Sequence, residues 1–64
     1  MVIYVSENDN GKFDVYKEGN SINEVNNQSY QAAMDRASAI IRNSGESGDI
    51  IIEKDDSQTV KHID

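Results

Sequence analysis

The chain has 64 residues with no cysteine, and its twelve Asp and Glu against six Lys and Arg give a formal net charge of -6. That length allows one domain, burying only about 60% of the surface its unfolded chain exposes, so packing alone must hold a fold of marginal stability without disulfide or thiolate staples. The acidity argues against binding along a phosphate backbone, which needs clustered Lys or Arg, and no direct nucleic-acid partner is expected.

The start, Met1 to Ser6, lacks the basic region and the apolar length of a secretory signal, and no apolar run approaches a membrane span. A cytoplasmic location with no membrane partner is therefore expected. Residues 2–6 and 12–17 are β-branched and aromatic runs that predict two strands. Between them Asn10 and Gly11 form a dipeptide suited to the positive φ angles of a tight hairpin turn. The period of two sends Phe13 and Val15 to a core face and Asp14 and Tyr16 to the other. Residues 18–28, with one Gly and four Asn, read as an irregular connection anchored by Ile22 and Val25.

Ser29 is placed to cap a helix, its hydroxyl accepting from a first-turn N–H, although Ala32 stands where a capping-box Glu would be. Tyr30, Ala33, Met34, Ala37, Ile40 and Ile41 recur at spacings of three and four as one apolar stripe. Gln31, Asp35, Ser38 and Arg42 fill the opposite side. Gly45 follows the last periodic residue and suits a left-handed helix stop. Beyond Gly48, residues 49–53 and 59–63 read as two further strands around a polar turn, 54–58. The order ββαββ predicts a single α+β domain over residues 1–64: a four-stranded, mostly antiparallel sheet with one helix packed on one face.

The arrangement Gly11, Lys12, Phe13, Asp14, Val15, then Gly19, then Ser29, Ala33 and Ala37 at intervals of four, then an Ile-Ile strand and a polar turn resembles a small bacterial family, domain of unknown function 2188. The resemblance spans nearly the whole chain. It implies the same fold and a bacterial or phage setting, and it carries no activity and no site residues. The chain departs from the family pattern at Phe13, where Trp is common, at Ala32, where Glu often completes the cap, and at Ser57, where Gly is frequent.

The inventory for chemistry is thin. His62 is the only histidine, near Asp64 in sequence, an arrangement that could serve acid–base work but that reads more simply as an exposed strand residue. There is no Cys nucleophile, and no hydroxyl sits in a nucleophile-elbow context. Ser6, Asn8, Asn10 and Gly11 imitate the start of a calcium loop, but the first ligand is not Asp and the twelfth position is Lys17. The expectation is no enzyme, no catalytic residue, no metal and no cofactor.

What remains is the sheet face opposite the helix. If Ile3, Val5, Phe13, Val15, Ile50 and Ile52 pack under the stripe, alternation brings Val2, Tyr4, Tyr16 and Ile51 out on the far side. Tyr4, Tyr16 and Ile51 are the candidate interaction residues. The expected function is a non-enzymatic small interaction module that self-associates as a homodimer, or binds a protein partner, through the open face or an edge strand. The alternative is an acidic inhibitor or nucleic-acid mimic whose Asp14, Glu18, Glu24, Glu53, Asp55 and Asp56 engage a basic groove of a target protein.

Overall fold

A computed structural model describes residues 1–19 and 23–64, so the expected anchor Ile22 lies outside the described residues. The elements in chain order are β1 (Val2–Glu7), β2 (Phe13–Lys17), β3 (Val25–Gln28), α1 (Tyr30–Asn43), β4 (Gly48–Lys54) and β5 (Ser57–Ile63). Among the described residues the fold is α+β, with one helix on one face of one sheet.

The sheet corrects the expected strand count: among the described residues it has five strands in the order β3-β2-β1-β4-β5, and three of its four pairings are antiparallel. β2 runs antiparallel to both β1 and β3, and β5 antiparallel to β4, but β4 lies parallel to β1 at the centre. With β3 added, the chain enters α1 after three strands, and the helix supplies the long crossover that a parallel neighbour of β1 requires. β3 forms where an irregular connection was expected because polar side chains organise it. The Asp14 carboxylate accepts from the Asn27 N–H at 3.0 Å and from Asn8 Nδ2 at 3.2 Å, and Asn8 also donates to Asn27 Oδ1 at 2.7 Å. Asn27 takes a φ of 55°, and the β2/β3 register shifts between Phe13 and Val15.

Two turns differ from expectation. Between β1 and β2 only Gly11 has positive φ, at 73°, and Asn8 rather than Asn10 organises the loop: its Oδ1 accepts from the Asn10 and Lys12 N–H groups at 2.9 and 3.1 Å. Between β4 and β5 the turn is not five residues long but two, Asp55 and Asp56, with φ of 51° and 62°. Two consecutive positive φ angles are the mark of a tight hairpin turn whose twist matches the strands.

The core lies between helix and sheet. Ile3, Val5, Phe13, Val15, Ile50 and Ile63 are buried against Ala33, Met34, Ala37 and Ile41, while Val25, Ile40 and Ile52 pack partly against them. Ala33 and Ala37 are fully buried, and their small side chains let the helix approach the strands closely. Ser29 caps the helix by accepting from the Ala32 N–H at 3.2 Å, and Gly45, with φ of 78°, follows the C-cap Ser44. Tyr30 departs from the expected stripe: it is 46% exposed and sets its ring edge against Phe13, centroids 5.3 Å apart at 67°. Among the described residues no helix is long and apolar enough to cross a membrane.

Candidate functional site

Register builds the uncovered face row by row. Tyr4 sits opposite Tyr16 on β2 and beside Ile51 on β4, and Ile51 sits opposite Val60 on β5. Neighbouring strands present paired residues on the same face, so Tyr16, Tyr4, Ile51 and Val60 form one apolar row across four strands. On one side runs a polar row of Asp14, Ser6, Glu53 and Gln58; on the other, Asp49 and His62 continue from Val2. The structure thus brings together all three candidate residues, Tyr4, Tyr16 and Ile51, each half-buried among its neighbours.

The two tyrosines stack with ring centroids 5.0 Å apart and planes 5° from parallel. Tyr16 donates its phenolic hydrogen to Glu53 Oε1 at 3.0 Å, while Glu53 Oε2 accepts from Gln58 Nε2 at 3.0 Å. Partial burial, together with the adjacent Glu53 carboxylate, pushes the Tyr16 phenol up to about 12, further from ionisation than a free phenol. These contacts hold the row's aromatic end in one geometry, the preorganisation that limits the entropy lost when a surface is covered.

Val60 is the member that sequence reading missed. It is 62% exposed, more than any other member of the row. A five-residue turn over 54–58 would set Val60 opposite Ile52, on the helix side; the two-residue turn sets it opposite Ile51 instead. One residue of register exchanges the two faces of a strand. The signal that could have found it is the Asp55-Asp56 pair, since Asp tolerates the left-handed conformation better than most residues.

His62 lies on the same face but is chemically engaged. Its Nδ1 meets Asp49 Oδ1 at 2.7 Å and its Nε2 meets Asp64 Oδ1 at 3.0 Å. The hydrogen bond to Asp49 raises its pKa above the ordinary value, with the two carboxylate charges acting in the same direction. Sequence proximity had suggested Asp64; the closer partner, Asp49, comes from the β4/β5 register.

At the far end of the sheet, the β1–β2 loop and the β4–β5 turn flank an open groove of about 750 Å³, lined by Glu7, Asp9, Glu53, Asp55 and Asp56 with Lys54 among them. Of the carboxylates singled out in sequence, Glu53, Asp55 and Asp56 meet here. Asp14 is occupied by Asn8 and Asn27, while Glu18 and Glu24 lie toward the opposite end, where their N–H groups bond Val2 O and Val15 O.

No protein-family model, curated protein or solved structure matches the chain.

Proposed function

We propose that this chain is a non-enzymatic interaction module that binds protein through the uncovered face of its sheet. The observation that carries the reading is the apolar row of Tyr16, Tyr4, Ile51 and Val60, flanked by the polar row of Asp14, Ser6, Glu53 and Gln58 on one side and by Asp49 and His62 on the other, as the centre of a protein contact is flanked by its rim. Tyrosine suits such a role because its ring supplies contact area at a low entropic cost while its hydroxyl remains hydrogen-bonded. The one histidine favours a binding role over catalysis, since both ring nitrogens are already engaged by carboxylates.

The acidic groove supports a second reading, an inhibitor that meets a basic surface through Glu7, Asp9, Glu53, Asp55 and Asp56. It is the weaker of the two because Glu18 and Glu24 stand apart from the groove and Asp14 is held by asparagine side chains.

Salt separates the readings. Immobilised chain is used to capture proteins from a bacterial lysate at low and high ionic strength, beside a Tyr4→Lys, Ile51→Lys variant checked for a cooperative melt. An apolar contact keeps its catch at high salt and loses it in the variant. Capture that disappears with salt and ignores the variant would refute the face and assign binding to the groove.

A further inference from the structure

We infer that the β5 edge is the docking site for a second copy of this chain, the two β5 strands pairing antiparallel about a two-fold axis at Val60. The inference rests on the interaction-module reading and names the partner and the mode of contact.

The backbone supplies the first argument. The Asp49 N–H bonds Met1 O at 2.9 Å, so β4 turns the backbone groups of Asp49, Ile51 and Glu53 toward β1 and those of Gly48, Ile50, Ile52 and Lys54 toward β5. Their partners on β5 are Ile63, Lys61, Thr59 and Ser57. By alternation Gln58, Val60 and His62 direct their N–H and C=O groups outward, where no strand of the described residues meets them.

The side chains leave that edge clear. Gln58 reaches back to Glu53 and His62 to Asp49, both on β4, instead of leaning across the edge. β5 has none of the devices that blunt edges apart from Lys61: it is seven residues long, has no Pro and pairs with β4 without a register shift. The opposite edge, β3, is four residues long, with an irregular register and Asn27 at positive φ.

Self-complementarity selects the occupant. Val60 is the central residue of β5, so a two-fold there uses the whole strand. It sets Val60 against its own copy, Gln58 against His62 and Thr59 against Lys61, matching every outward donor to an outward acceptor with no like charges opposed within the strand. In a chain of net charge -6, β5 is a seven-residue strand without a carboxylate, so no two carboxylates are opposed along its length, although Asp56 and Asp64 flank its ends. The axis stands perpendicular to the sheet and puts both open faces on one side. The two apolar rows then join end to end through Val60 into a single row of eight residues across a ten-stranded sheet.

Amide hydrogen exchange followed by NMR at low and high protein concentration tests this directly. Protection of the Gln58, Val60 and His62 amides is expected to rise with concentration, while Thr59 and Lys61, already bonded to β4, remain protected throughout. Val60→Pro removes an outward donor without breaking a bond to β4, and its mass by light scattering should stay monomeric. Val60→Lys, which opposes two ammonium groups on the axis while keeping every amide, should give the same loss and covers the case in which the proline variant does not fold. Outward amides that exchange freely at every concentration would overturn the inference. So would association that survives Val60→Lys but is lost in Tyr4→Lys, which would place self-contact on the face. Edge protection that persists while lysate capture ignores Tyr4→Lys, Ile51→Lys would instead retain the edge and refute the face.

Discussion

Gly48 is where the N-terminus, the helix and β4 crowd together. A Cβ built there would lie 2.6 Å from Met1 O and 3.2 Å from Ile41 Cγ2, so the position needs glycine for space and not for backbone freedom. Gly48→Ala should cost about 1–3 kcal/mol, the range for forcing extra volume into a packed site, read from the midpoint of urea unfolding at an unchanged slope. A parent-like midpoint would show that β4 can shift at no cost. In the sequence Gly48 is legible only as the break before a strand; the crowding comes from a parallel pairing between β1 and β4 that local pattern does not encode. His62 makes a second residue-scale prediction. Its folded pKa is raised above 6.5, so its stabilising contribution is fully present below about pH 6.5 and is lost as pH rises through the folded value. A ring-proton NMR titration should therefore place its midpoint above 6.5 in the parent and lower in Asp49→Asn. An identical midpoint in both would remove Asp49 as the cause.

At the scale of elements, the β4–β5 hairpin decides what the open face presents. Asp55 and Asp56 both occupy the left-handed region, which Asp tolerates better than most residues but less well than glycine, and the Asn-Gly sequence favoured in such turns relieves the remaining strain. Asp55→Asn with Asp56→Gly should raise stability by about 1 kcal/mol in denaturant unfolding, with Val60 unchanged in environment. A loss of stability would mean that the turn is held by something other than its backbone preference. The same hairpin shows where sequence reading stops. The alternation of Ile3, Val5, Phe13 and Val15 and the three-four spacing of Ala33, Met34, Ala37 and Ile41 were legible because burial imprints a period directly on the residues. Tyr4, Tyr16 and Ile51 followed as the complement of that pattern. β3 was not legible, since Val25 is its only apolar residue and the hydrogen bonds that organise it come from Asn8 and Asp14, distant in sequence. Val60 was hidden because its face depends on turn length, which a run of five polar residues does not specify.

At the scale of the whole molecule, the decisive fact is a mismatch of coverage. A helix of 14 residues is about 21 Å long and shields one side of a five-stranded sheet, leaving an apolar row on the other side and, among the described residues, no neighbour beyond the outer side of seven-residue β5. So short a chain has little core to spare, and pairing with a second copy adds burial and backbone hydrogen bonds without needing another gene product. Charge opposes it, because two chains of net charge -6 repel and the proposed two-fold at Val60 would bring Asp56 of each copy toward Asp64 of the other. That repulsion is screened over about 8 Å at physiological ionic strength, so association should tighten as salt is added, the reverse of what an acidic mimic shows toward a basic target. If a second copy covers the β5 edge, the oligomeric state depends on concentration, and sedimentation equilibrium over a wide concentration range at two salt levels reads that dependence. The mass is predicted to climb from 7.1 kDa toward twice that value, at lower concentration in high salt than in low; a mass fixed at 7.1 kDa up to millimolar concentration in both would refute pairing with a second copy and leave the open face to a different protein.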